Sequence, residues 1–217
     1  MYKGCIFDLD GTLLNTIGTI ASYGNAALEK FGLAPIEPST YKQLVGNGAS
    51  TLVRRMLAQN GIKDDSLFKR VYEAYTTLYD GNPYAHTSIY DGIEELLTAL
   101  RSAGLTLCVL SNKPHSATVP VIQSFFAPGT FQYVFGARDG IPQKPDPAMV
   151  NYLLKEMDIS PKECIYVGDT KTDMDTGKAA GLFTVGVLWG FRDKEELMRH
   201  HADFLAAHPL DILSCLK

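Results

Sequence analysis

The sequence has no apolar run approaching the roughly 20 residues needed to cross a bilayer, so no spanning segment is expected. It has only four cysteines, Cys5, Cys108, Cys164 and Cys215, and no CxxC pair. The first three lie in apolar runs that read as strands. Buried reduced thiols are therefore expected rather than disulfides or a zinc site, and the matching compartment is a reducing cytoplasm. An excess of positive charge is missing too. Twenty Lys and Arg against 24 Asp and Glu leave a net charge of −4, which argues against a general nucleic-acid binder but leaves room for a local basic pocket. No repeat and no low-complexity tract breaks the chain. The opening MYKGCIFDLDG turns acidic too soon for a signal peptide.

What is present is an ordinary globular composition. With 217 residues and 46% apolar content the chain can bury a sizeable core, as one large domain or as one domain with a small insert. Short apolar runs at residues 5–7, 105–110, 131–135, 164–167 and 183–188 read as strands. Helical patterns lie between them at 92–102, 116–126, 147–157 and 172–180. Strands alternating with helices at this spacing predict an α/β fold, a Rossmann-like parallel sheet with right-handed crossovers. Pro120 inside the 116–126 pattern is expected to shorten or kink that helix.

Residues 15–84 break the alternation. They carry helix-like stretches at 16–31, 49–60 and 66–79, separated by Gly and Pro, and no convincing strand. The expected organisation is a core domain of residues 1–14 and 85–217 with an inserted helical cap domain of residues 15–84.

Polar residues fall where such a sheet binds ligands. Asp8, Ser111 and Asp169 each follow a predicted parallel strand at its carboxyl end. Asp8 and Asp10 are two apart, so both carboxylates point to one side if the chain stays extended. One could attack phosphorus while the other protonates the leaving oxygen, although an Asp-Gly turn closing a strand gives the same letters. Asp169 and Asp173 are four apart across a strand end and a first helical turn, a spacing that suits Mg²⁺ or plain helix capping. Ser111-Asn112-Lys113 could hold a phosphoryl oxygen through a hydroxyl and backbone N–H groups, or could be an N-cap. Lys144, just before the Pro-stiffened start at Pro145-Asp146-Pro147, could balance an aspartate cluster or stand in a solvated loop.

Together, and in this order, these motifs resemble those of haloacid dehalogenase-type phosphohydrolases. Asp8-Leu9-Asp10-Gly11-Thr12 matches the first motif, Ser111 the second, Lys144 the third, and Asp169 with Asp173 the fourth. The resemblance implies that Asp8 is the nucleophile and a Mg²⁺ ligand, and that Asp10 is the general acid and base with its carbonyl on the metal. It implies Asp169 as a direct ligand, Asp173 as a support through metal-bound water or Lys144, Ser111 and Lys144 as stabilisers of the transferring oxygens, and Thr12 as the residue that orients Asp10. The helical insert resembles the family's mobile cap. Dehalogenases and phosphonate hydrolases of this superfamily lack an aspartate at the position of Asp10, so its presence favours phosphate esters.

Ser111-Asn112-Lys113-Pro114, Gly46-Asn47-Gly48 and Trp189-Gly190 look most like phosphoglycolate phosphatases. On that resemblance Thr12, Asn47, Gly48, Asn112 and Arg54 are candidate substrate-binding residues. Gly46-Asn47-Gly48 would form a flexible cap loop that reaches into the cleft, or a plain interhelical turn, and Arg54 or Arg55 could meet a substrate carboxylate or stand solvated. Trp189, Phe191 and Arg192 could line the cleft or simply pack, and His200-His201 reads as surface. The expected partner is a small phosphate ester, with no nucleic acid or membrane, handled by a monomer or homodimer. A β-phosphoglucomutase-like phosphotransferase, a pyrophosphatase and a silent binding scaffold are the competing readings.

Overall fold

A computed structural model of the chain describes residues 1–216 and divides them into two compact units. One comprises Met1–Asn15 and the chain from Ser88 onward; the other is Thr16–Thr87. The junctions thus fall one residue later than 14/15 and three residues later than 84/85. The shift has a local cause. Asn15 pairs with Ser88, while His86 and Thr87 bond back to Thr19.

In the first unit the strands are β1 (Gly4–Phe7), β2 (Leu14–Asn15), β3 (Ser88–Ile89), β4 (Thr106–Pro114), β5 (Tyr133–Ala137), β6 (Cys164–Gly168), β7 (Phe183–Val187) and β8 (Phe204–Ala206). Six of them form a parallel sheet in the order β5-β4-β1-β6-β7-β8. The chain first builds outward from β1 through β4 and β5, then crosses back to build β6, β7 and β8 on the other side. The switch point lies between β1 and β6, and the crevice beyond their carboxyl ends is where such sheets receive ligands. Strands β2 and β3 make a separate antiparallel ribbon.

The second unit consists of α1 (Ile17–Glu29), α2 (Pro38–Leu44), α3 (Gly48–Gln59) and α4 (Asp65–Gly81), with no strand. Leu28, Tyr41, Val53, Met56 and Val71 are buried in it. Asn25 fastens the link after α1 by exchanging both amide groups with the backbone of Ile36, while the Tyr41 hydroxyl donates to its oxygen. Asp64 caps α4 by accepting from the Leu67 N–H.

The first unit continues with α5 (Ile93–Ser102), α6 (His115–Phe125), α7 (Ala148–Met157), α8 (Lys171–Ala179) and α9 (Lys194–Arg199). Alternate strand residues feed two cores, as the pleat requires. Cys5, Phe7, Leu107, Val109, Ile165 and Val167 join Leu96, Leu100 and Val121 on one face. Ile6, Cys108, Leu110, Cys164 and Tyr166 meet Val150, Leu153 and Leu154 of α7 on the other. Full burial of Ile6 and Phe7 is worth about 1.5–3 kcal/mol each, so two residues of one short strand hold both layers to the sheet. The four cysteines are free thiols, three of them buried. Pro120 does not shorten α6 as expected. The helix runs through it, and the cost is one missing donor.

At the start of β6 Glu163 closes a capping box on Ser160 and pairs with Lys3 at 2.6 Å. The Lys3 ammonium and the Ser160 N–H hold its carboxyl down at about 2. A depressed carboxyl stabilises above its unfolded value and loses that contribution as pH falls through the folded one. The melting-temperature advantage of the wild type over Glu163→Gln should therefore be complete above about pH 4.5 and fade toward about pH 2. An advantage that grows on acidification contradicts this.

Candidate active site

The acidic cluster is built from residues of the first unit. Asp8 immediately follows β1, Asp169 immediately follows β6, and Asp173 stands in the first turn of α8. Lys144 comes from the loop before α7. Its ammonium lies 2.7 Å from Asp8 Oδ1 and 2.7 Å from Asp173 Oδ1, with all three residues buried. Carboxylate oxygens of Asp8, Asp169 and Asp173 lie within 4.8 Å of one another. Distant segments of the chain thus deliver three anions and a cation to one point beside the switch in strand order.

Each carboxylate is fixed by a different local device. Asp173 accepts from the Thr170 N–H at 3.0 Å and from its hydroxyl at 2.7 Å through Oδ2, which leaves Oδ1 for Lys144. It therefore serves as a helix cap and a member of the cluster at once. Asp169 is not a cap. It accepts from the Phe191 N–H at 2.7 Å and from the Thr12 hydroxyl at 3.3 Å. Gly11, at φ +93°, and Gly190 make room for it, because a Cβ at either position would collide with the Asp169 side chain.

Crowding these charges out of water has the expected effect. Burial, then the Asp173 charge, raises the Asp8 carboxyl to about 7 against the opposing pull of Lys144. Burial, then Asp173 and Asp8, holds the Asp169 carboxyl well above its usual range. Burial would lower the Lys144 ammonium, but Asp173 and Asp8 more than offset this and keep it charged. Three carboxylates, Asp8, Asp169 and Asp173, surround one ammonium, Lys144, a formal excess of two negative charges. Hard oxygen donors with that excess suit one divalent cation such as Mg²⁺.

Other expectations need correcting. Ser111 does not follow a strand but lies within β4. Pairing with β5 shifts register after Leu110 and resumes at Pro114–Ala137, which extends the strand through the motif. The last β1 residue pairs with Val109, so Ser111 still projects beyond the β1 edge. Thr12 is fully buried, with its hydroxyl on Asp169 and not on Asp10. Asn112 has both amide groups committed to Lys144, accepting from its N–H and donating to its carbonyl at 3.0 Å each. It thereby fastens the Lys144 loop to β4.

The sequence motif points to Lys113 only through its backbone N–H. Its ammonium meets both Asp10 oxygens, at 3.0 and 3.3 Å. The signal that could have found it is its position two residues after Ser111, on the same side of an extended strand. Trp189 and Phe191 support the site from behind: the Trp189 indole N–H donates to the Thr12 carbonyl at 3.0 Å. Arg192 pairs with Glu196 at 3.3 Å. His200 contacts Asp175 at 2.8 Å. Tyr166 is fully buried, its ring 6.0 Å from the Lys144 ammonium.

The remaining candidates belong to the helical unit. Asn47 precedes α3 and accepts from the Arg55 guanidinium at 2.9 Å, while Gly48 begins α3 at φ +80°. Arg55 also donates to the Leu44 carbonyl at 2.7 Å, which makes it a brace for the α2–α3 corner. Arg54 is exposed, pairs with Asp65 at 3.0 Å and lies over the Phe68 ring at 4.1 Å.

Comparison with known proteins agrees with this arrangement. Residues 5–187 match the model of the haloacid dehalogenase-like hydrolase family. A phosphoglycolate phosphatase from Vibrio vulnificus strain YJ016 is 31% identical over 214 residues, covering 95% of this chain and 94% of that protein. One from Haemophilus influenzae is 31% identical over 215 residues, covering 97% and 96%. The crystal structure of a predicted phosphoglycolate phosphatase from Haemophilus somnus 129pt superposes with a TM-score of 0.93 at 27% identity, covering 100% of this chain and 98% of that one. With its motif residues gathered at the switch point and the family model spanning most of its length, this chain belongs to the haloacid dehalogenase-like hydrolases.

Proposed function

We propose that this protein is a Mg²⁺-dependent phosphomonoester hydrolase that works through an aspartyl-phosphate on Asp8, with phosphoglycolate as its leading substrate. The observation that carries this is the Lys144 ammonium held 2.7 Å from both Asp8 and Asp173 within a buried acidic cluster. A cation so placed keeps an anionic nucleophile aimed while a phosphoryl dianion approaches. The likeness to proteins named phosphoglycolate phosphatase supports the choice of ester.

Asp8, Asp169 and the Asp10 carbonyl would hold the metal, with Asp173 supporting them. Bound there, Mg²⁺ would neutralise phosphoryl charge and align the group for in-line attack. An Asp8 carboxylate oxygen attacks phosphorus as the bond from phosphorus to the ester oxygen breaks. The protonated Asp10 carboxyl passes its proton to that oxygen, and the alcohol departs. Asp10, now a carboxylate, takes a proton from water as the water oxygen attacks phosphorus. The bond to Asp8 breaks, inorganic phosphate leaves, and both aspartates return to their starting forms. Ser111 and Lys144 steady the transferring oxygens. The free thiols support a reducing compartment.

The deciding assay is phosphate release from phosphoglycolate, pyrophosphate and hexose phosphates, with Mg²⁺ and with chelator. Phosphoglycolate should show the highest kcat/KM, with turnover lost on chelation. Preference for pyrophosphate would change the substrate assignment. Hexose phosphate isomerised only after priming with its bisphosphate would make the protein a phosphotransferase. No Mg²⁺-dependent release from any of them would remove the proposal.

A further inference from the structure

The side chain that aims Asp10 is not the one its motif suggests. Thr12 faces Asp169, so the Asp10 carboxyl, on a tight turn and one-fifth exposed, takes its direction from another group. That group is Lys113, whose ammonium contacts both oxygens at 3.0 and 3.3 Å. Its side chain is only 5% exposed, so its long stem is confined by packing rather than free to sample rotamers.

The support behind it is equally fixed. The Lys113 N–H donates to the Ser111 hydroxyl at 3.2 Å, and its carbonyl accepts from the Thr118 hydroxyl of α6 at 3.2 Å. Gly136 of β5 lies so close that a Cβ there would strike the Lys113 carbonyl. Strand β4 is hydrogen-bonded directly to β1. Lysine and aspartate therefore project from neighbouring strand ends, and an error in placing one is transmitted to the other.

We propose that Lys113 is a positioning residue that holds the Asp10 carboxyl in line with the leaving oxygen and then with the attacking water. The inference rests on the proposed roles of Asp8 and Asp10. A misaimed acid–base group loses rate without losing substrate, so the effect should appear in kcat.

The test is a double-mutant cycle with 4-nitrophenyl phosphate and saturating Mg²⁺, using Lys113→Met, Asp10→Asn and the pair together. Lys113→Met should lower kcat by about tenfold to a hundredfold while KM changes by less than about threefold. In the Asp10→Asn background the same substitution should cost less than about threefold, because its object is already gone. Lys113→Arg, which keeps a cation able to grip both oxygens, should recover most of the loss.

Losses that multiply across the cycle would overturn the proposal, as would a change confined to KM, which would make Lys113 a contact for the substrate anion. Far-UV circular dichroism monitors folding of each variant. If Lys113→Met does not fold, Lys113→Gln enters the same cycle. An Asp8→Asn control separates the layers: activity surviving there refutes the covalent reading, whereas additive losses with Asp8→Asn inactive refute only the role of Lys113.

Discussion

Replacing Asp8 with Asn should lower Mg²⁺-dependent hydrolysis of 4-nitrophenyl phosphate by at least about a thousandfold while leaving the fold intact. The amide matches the carboxylate in shape, and its oxygen can still accept from the Lys144 ammonium, which sits 2.7 Å from Asp8 Oδ1. What disappears is nucleophilicity together with one anion of a crowded group. Burial and the Asp173 charge already raise the Asp8 carboxyl to about 7, so losing its charge relieves strain on the fold. The metal-free variant should therefore melt at or above the wild-type temperature. Steady-state assays beside thermal melts check both halves. Turnover within about tenfold of wild type would end the covalent scheme.

Lys144→Met should be damaging in both respects. The lysine side chain is 4% exposed and bridges Asp8 and Asp173, so its removal leaves two buried carboxylates without their counter-charge. Breaking a buried pair from one side typically destabilises by about 3–5 kcal/mol, and urea titration should show a loss of that order. The loss of transition-state charge stabilisation should lower kcat by about a hundredfold to a thousandfold. Added Mg²⁺ should restore part of the stability, since a cation in the cluster replaces some of the missing charge. A stability change below about 1 kcal/mol would mean the two contacts hold little.

The sheet was readable because β1, β4, β6 and β7 are buried on both faces and so appear as continuous apolar runs. Strand β8 was not, because its three residues carry no period. It is defined by tertiary bonds, including the Asp203 carboxylate accepting from the Thr184 N–H at 2.8 Å. Helix α2 is hidden in the sequence for a different reason. Pro38 reads as a breaker, yet it stands at the first helical position, where its missing donor costs nothing and its fixed φ helps.

The site was legible where polar residues follow strands, since topology alone carries Asp8 and Asp169 to the same crevice. Pairings within it were less so. Whether Thr12 turns to Asp10 or Asp169 depends on the direction a side chain takes out of a tight turn, and no sequence period governs that. The double grip of Asn112 on Lys144 spans 32 positions and depends on loop geometry.

The two-residue ribbon of β2 and β3 places Asn15 directly opposite Ser88. The points at which the chain leaves the sheet unit and returns to it are therefore neighbours, like the two sides of a socket. A longer, shorter or unrelated module could be plugged in there without altering a single register in the sheet.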